Sequence, residues 1–333
     1  MQARPIDEVL ATSQDAKLVE RLKRAREIRA FASAELGLPE NGSYTRYTDL
    51  GRPFVVWNVF AAPADSLTPR QWCFPVAGCV SYRGYFSEEE AKVEAARLAA
   101  SGDDVYVGGV PAYSTLGWFD DPVLSSFVRY PDTALARLVF HELAHQVVYA
   151  KDDSEFNESF ATVVEEAGVA RWIATHEQTP LHEQLLAEQA RSDRLRGEFR
   201  RLVRDARPKL AAIYAARTAE AEKLKLKAAV LGDLRTAYET AKAGEAGLAA
   251  FDRWFAGYEG RGVNNASLAA IGLYDTKVPA FRALLAEAGG NLPLFYERAR
   301  ALAAKPRDER NRILAALAAP QTTAGRRESA SRP

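Results

Sequence analysis

A chain of 333 residues, 47% hydrophobic and 10% aromatic, holds enough apolar surface for one large or two ordinary domains and should fold without disulfide staples. Its 44 basic residues balance 44 acidic ones, which excludes a global electrostatic pull toward nucleic acid, anionic membrane or acidic substrates. The longest nearly uncharged apolar run, 55–64, is about half of the roughly 20 residues a spanning helix needs, so no membrane crossing is expected. Nor does the start, Met1-Gln2-Ala3-Arg4-Pro5, carry a basic segment followed by an apolar stretch, so no signal peptide is expected within these residues.

Residues 1–40 read as a helical lead-in, with Leu18, Leu22, Ala25, Ile28 and Phe31 recurring three and four apart and Gly37-Leu38-Pro39 as the stop. Residues 41–176 form an α+β core. Its strands are expected at 54–60, 72–76, 80–85 and 105–110, where Val, Phe, Tyr and Trp concentrate. One helix interrupts them, opening at Ser87 with Glu90 in a capping box and ending at Ser101-Gly102. Cys73 and Cys79 flank Pro75 and Gly78, a turn that would bring the thiols together; a small disulfide loop and two reduced, buried thiols are equally compatible with the residues.

After an extended segment and a turn at Asp121-Pro122, Asp132 should cap a helix running to about residue 150, and a second helix should span about 157–175. Residues 177–318 are helical. A long hairpin is expected from 181–206 and 209–245, broken at Pro208 and solvated outside one packing stripe, followed by helices near 246–258, 264–273, 277–288 and 291–304. The polar stretch 319–333 reads as a disordered tail. The fold class is therefore α+β, mostly helical: a small strand-rich sheet packed on a helix pair, with a helical C-terminal half.

The chemistry concentrates in His141-Glu142-Leu143-Ala144-His145, an H-E-x-x-H inside the first of those paired helices. At 3.6 residues per turn both imidazoles project from one face and can reach one ion, while Glu142 beside them can hold a metal-bound water. A catalytic zinc needs a third protein ligand and an open position. Glu158, on the second helix after the turn at 151–154, is the best candidate, and Glu165, two turns further on, could accept the free N–H of a ligating histidine. The alternative for Glu165 and Glu166 is a pair of solvated helix charges.

These residues, His141-Glu142-x-x-His145 followed by Asn157-Glu158-Ser159-Phe160-Ala161-Thr162 and Glu165, resemble the glutamate-ligand zinc peptidases, whose aminopeptidase branch has a similar N-E-G-F-A helix. The stretch 57–172, including 110–122, resembles more closely the bacterial putative-aminopeptidase family, and the resemblance extends to about residue 310. It implies a zincin-like helix pair, one Zn2+ held by His141, His145 and Glu158, Glu142 as catalytic base, and peptide substrates. The connection from His145 to Glu158 is shorter than in the well-known glutamate-ligand peptidases, and their G-x-M-E-N amine-binding segment is absent. The closer family often begins with a lipoprotein-type export signal, which implies a periplasmic or envelope location, a possible lipid anchor on a longer precursor, and a joined Cys73–Cys79 pair; a cytoplasmic location is the alternative.

The developing oxyanion of peptide hydrolysis needs a donor, for which Tyr274 is favoured over Tyr113, packing being the alternative role of each. The extended run 109–116, with Tyr113 and Ser114, could bind a peptide by strand addition. Asp120, Asp121 or an acidic residue of the second helix could take a substrate ammonium. The resulting expectation is a zinc aminopeptidase; the alternatives are a zinc endopeptidase and a nonenzymatic envelope scaffold with a structural metal. No nucleic-acid partner is expected.

Overall fold

The computed structural model describes residues 3–74, 78–272 and 277–319. The first helical stretch divides in two. A short strand β1 (Arg4–Pro5) leads into α1 (Ile6–Thr12) and then α2 (Ala16–Ala34), which starts where the Asp15 side chain accepts the Leu18 amide at 3.0 Å. Leu22, Ala25, Ile28 and Ala32 of α2 are fully buried, the inward stripe that the spacing anticipates.

The next strands are β2 (Arg46–Thr48), β3 (Val56–Pro63), β4 (Trp72–Phe74), β5 (Gly78–Val80) and β6 (Arg83–Tyr85). Helix α3 (Glu88–Ala100), with the Ser87 hydroxyl accepting the Glu90 amide at 3.3 Å, connects them to β7 (Asp103–Val110). The central sheet is antiparallel in the order β6-β3-β7, with Val59 opposite Arg83 and Val107. Alternation along β3 sorts its two faces. Trp57, Val59 and Ala61 pack with Ala91, Ala95 and Leu98 of α3, whereas Phe60 and Ala62 face the opposite way. A second, three-stranded sheet joins β1, β2 and β8 (Val123–Leu124), strands too short to stand out from sequence. The β4–β5 hairpin places Cys73 opposite Cys79, and their sulfurs are joined.

Two helices follow, α4 (Asp132–His145) and α5 (Ser154–Ala174). Asp132 is the first helical residue of α4 rather than its cap, and its carboxylate is taken by Arg21 and Arg24 of α2. Helix α4 also closes five residues sooner than the expected 150. The Val147 amide turns back to Ala144 O at 2.9 Å, and the Asn157 side chain captures both the N–H and C=O of Ala150, at 2.7 and 2.9 Å, outside any helix. Helix α5 begins earlier than 157 because buried Asp153 caps it, accepting the Phe156 amide at 3.1 Å. Close approach of the pair depends on Gly168: a Cβ there would meet Phe140 at 2.7 Å and Leu36 at 2.8 Å.

The hairpin is α6 (Leu181–Ala215) and α7 (Glu220–Gly244), and its turn lies at 216–219 instead of at Pro208. Pro208 sits inside α6. A proline there forfeits one hydrogen bond and strains the preceding turn, about 3 kcal/mol in a helix interior, but the buried stripe Phe199, Leu202, Val203, Ala206 and Leu210 continues across it and packs on Leu234 and Tyr238 of α7. Beyond the hairpin, the expected helix at 246–258 is a 3-10 turn, Ala246–Phe251, followed by α8 (Asp252–Ala256). Gly257 ends it with φ +69, where a Cβ would fall 1.9 Å from Gly262 O. Helix α9 (Asn265–Gly272) covers the second face of the sheet, with Ala266 and Ala270 against Phe60 and Ala62. Helices α10 (Val278–Glu287), α11 (Leu292–Ala303) and α12 (Arg307–Ala318) complete the described chain, α12 being an addition to the expected set.

One apolar cluster takes in Leu22 of α2, Phe140 of α4, Phe160 of α5, Phe281 of α10, Phe295 of α11 and Leu314 of α12. The two central helices are thus gripped from both ends of the sequence. Among the described residues no helix is long and apolar enough to cross a membrane. The expected tail, beyond Ala319, lies outside the described residues.

Candidate metal centre and active site

One helical turn separates His141 from His145, and their Nε2 atoms face each other at 3.2 Å. Glu158 arrives from α5, with one carboxylate oxygen 3.2 Å from His141 Nε2 and the other 3.8 Å from His145 Nε2. Two such nitrogens can share at most one proton. A divalent cation satisfies all three lone-pair donors at once, and donors about 2.0–2.1 Å from a tetrahedral ion stand roughly 3.3 Å apart. His145 Nδ1 is buried and has no hydrogen-bond partner among the described residues. The donor set therefore fits a cation, and its open side faces a cavity of about 380 Å3 lined by Glu142 as well as the three candidate ligands.

Behind His141, a carboxylate fixes the ring. Glu165 Oε2 lies 2.9 Å from His141 Nδ1, which assigns the proton of a neutral ring to Nδ1 and leaves Nε2 to the ion. Glu165 is itself held: the Arg137 guanidinium donates to Oε1 at 2.9 Å and also to Gln189 Oε1 at 3.2 Å. The chain Arg137, Glu165, His141 runs from one turn upstream of the motif to the site. Sequence reasoning missed Arg137, although its position four residues before His141 puts it on the same helix face.

The charges respond to this enclosure. Burial opposes ionisation of Glu158, but His145 and His141 outweigh it and hold its carboxyl below the usual range. Burial likewise opposes ionisation of Glu165, which His141 and Arg137 outweigh. For His141 burial disfavours the cation, while the bonds to Glu158 and Glu165 prevail and hold its pKa well above the ordinary histidine value. His145, with burial dominant and His141 adding to it, falls to about 4 and is neutral. Glu142 is pushed up to about 7 by burial, with Glu158 and Asp121 adding their charge and His141 opposing.

Three segments wall the cavity. Val56 and Asn58 come from β3 and Val110 from the end of β7, whose extended continuation supplies Ala112, Tyr113 and Ser114. The disulfide-linked hairpin contributes Phe74 and Val80 and is tied to the α4–α5 loop by the Cys79 amide, 2.5 Å from Asp152 Oδ1. Tyr82 and Tyr149 also line it. Both are phenols whose pKa burial raises, so both keep their protons as hydrogen-bond donors. Sequence reasoning overlooked them, though Tyr149 stands only four residues after His145.

The remaining expected residues sit differently. Tyr274 lies outside the described residues. Asp120 is exposed and packs over Gly42, outside the cavity lining. Asp121 is buried, accepts the Thr115 amide at 2.9 Å, and thereby shapes the extended segment that carries Tyr113 and Ser114. The other two histidines, His176 and His182, close the C-terminal end of α5 through carbonyls of Trp172 and Ile173.

No curated protein and no solved structure matches the chain. A family model does match it from residue 1 to residue 314, a span that contains both helices of the site and the three segments around the cavity, and on that match the chain belongs to the family described as "Putative aminopeptidase".

Proposed function

We propose that this protein is a zinc-dependent aminopeptidase. The observation that carries the reading is the convergence of His141 Nε2, His145 Nε2 and a Glu158 carboxylate on one point beside Glu142, inside a cavity. His141, His145 and Glu158 would hold the ion, which when bound supplies Lewis acidity to the peptide carbonyl and acidifies a water to a pKa near 7. Glu142, beside the donor triad in the same cavity, takes the proton of the attacking water and delivers it to the leaving amine. Tyr82, Tyr113 and Tyr149 bring phenol hydroxyls to the described lining and are the candidates to face a developing oxyanion. The extended segment through Ala112 and Ser114 offers backbone groups to a substrate main chain, which suits side-chain-tolerant binding.

The choice of an amino terminus rests on the family match. The described lining of this cavity includes no Lys or Arg that would repel a substrate ammonium. Comparing a peptide with its N-acetylated form tests the reading. Acetylation should slow cleavage at least tens of times, on the roughly 2–5 kcal/mol that a lost buried charge-assisted pairing costs; equal rates, or first cleavage at internal bonds, would replace it with an endopeptidase. We further propose work in the periplasm or cell envelope, supported by the Cys73–Cys79 bond, since such bonds persist in oxidising compartments. Intact-mass measurement of alkylated protein from its native cells checks this; two alkylated thiols without reductant would return it to the cytoplasm.

A further inference from the structure

A second cavity, about 460 Å3, opens on the other side of the site. It shares His141 and Glu142 with the first, but runs along α4 toward its N-terminal end past Leu138 and Ala134, and its outer wall is Leu195 and Arg196 of α6 with Phe251. Glu142, the group assigned above to hand a proton to the leaving amine, lines both cavities. With the acyl part of a substrate in the first cavity, beside the extended segment, the second is the space open to the leaving part.

The two cavities differ in charge. Where the first has carboxyls and no Lys or Arg among its described lining, the second sets two guanidiniums, Arg137 and Arg196, beside the carboxyls of Glu142 and Glu165. Arg137 is committed to Glu165. Arg196 is not: its one hydrogen bond among the described residues goes to Ser192 Oγ at 2.8 Å, no carboxylate pairs with it there, and Glu165 and Asp193 reach it only as longer-range charges. Burial, with Arg137 adding to it, lowers the pKa of Arg196, the mark of a cation placed without a full counter-charge. An unpaired guanidinium in a partly apolar cavity is a carboxylate receptor, since its planar fork donates to both oxygens.

We infer that Arg196 binds a carboxylate on the leaving side of the substrate, and that the protein therefore favours short peptides whose free C-terminus reaches it. This rests on the aminopeptidase reading for the direction of the substrate. The carboxylate could belong to the peptide terminus or to an Asp or Glu side chain just after the cleaved bond.

Calorimetric binding to the Glu142→Gln protein separates these sources without turnover. The probes are Leu-Gly-Gly, its C-terminal amide, and the amide of Leu-Glu-Gly. The free acid should bind roughly 10- to 100-fold more tightly than its amide, the ordinary range for a charge-assisted bond, and Arg196→Gln placed in the same protein should erase that difference while Arg196→Lys retains part of it. A tight Leu-Glu-Gly amide with a weak Leu-Gly-Gly acid would overturn the C-terminal assignment in favour of an acidic side chain. Equal affinity for all three would overturn the receptor itself, a comparison that needs no Arg196 variant and so does not depend on how that variant folds. Failure of the aminopeptidase reading is seen separately, as indifference to N-acetylation in the active protein.

Discussion

In the metal-free protein burial raises the Glu142 carboxyl to about 7, and a carboxylate at this position can gain and lose a proton. Glu142→Gln keeps the size and removes the exchange. Because Glu142 is not among the converging donor atoms, the variant should retain its metal by elemental analysis while hydrolysis falls at least roughly a hundredfold; unchanged turnover in metal-loaded protein would take Glu142 out of the mechanism. Arg137 acts one step further back. It touches neither cavity-side nitrogen of the histidines but fixes Glu165, which fixes the His141 ring. Arg137→Gln should therefore weaken metal affinity roughly 10- to 100-fold, measured against a competing chelator, as expected when a ligand's orienting partner is disturbed. Partial rescue by Arg137→Lys would mark an electrostatic hold on Glu165, whereas full loss in both variants would point to the forked geometry.

At the scale of elements, the start of α5 decides where Glu158 stands. Asp153 caps that helix and is fully buried between Lys277, at 2.8 Å, and Arg310, at 2.8 Å, so one carboxylate ties the ligand helix to the beginning of α10 and to α12. Burial opposes its ionisation, but Lys277 and Arg310 outweigh it and its pKa lies below the usual aspartate value of 3.8. The unfolded chain therefore takes up this proton first as pH falls. The stabilisation is complete above the unfolded value and is lost as pH drops through the lower folded one, so an acid-side loss of stability is expected below about pH 4. Asp153→Asn should cost about 3–5 kcal/mol, because two buried cations lose their partner, and should flatten that acid limb in urea titrations. A variant as stable as the parent at pH 7 would mean that Lys277 and Arg310 find water instead. None of this was legible in the sequence. The convergence of His141 and His145 was, because a spacing of four on one helix fixes its own geometry, and the approach of Glu158 and Glu165 followed from the phasing of one further helix. Asp153 read only as part of a turn, since its partners lie more than a hundred residues away. Pro208 misled for a related reason: a local rule marked a break, and a long-range stripe of packing overrode it.

Seen as one molecule, the site is a clasp between two helices that the core already grips. His141 and His145 stand on α4 and Glu158 on α5, while α2, α10, α11 and α12 pack on both through the same apolar cluster. An ion that bridges α4 and α5 binds the folded chain and has no such site in the unfolded one, so its binding free energy adds to the stability of the whole cluster. With free metal at a thousand times its dissociation constant the gain is about 4 kcal/mol, which at about 1.5 °C per kcal/mol for a chain of 333 residues becomes a shift of roughly 6 °C. Removing metal with a chelator should lower the melting temperature by that amount in one cooperative step. The His141→Ala, His145→Ala double variant should melt at the same temperature with and without chelator. A parent protein indifferent to the chelator, yet shown by elemental analysis to have carried an ion and lost it, would mean that the unfolded chain holds the ion about as tightly as the folded one, so that the α4–α5 pair is no dedicated site for it.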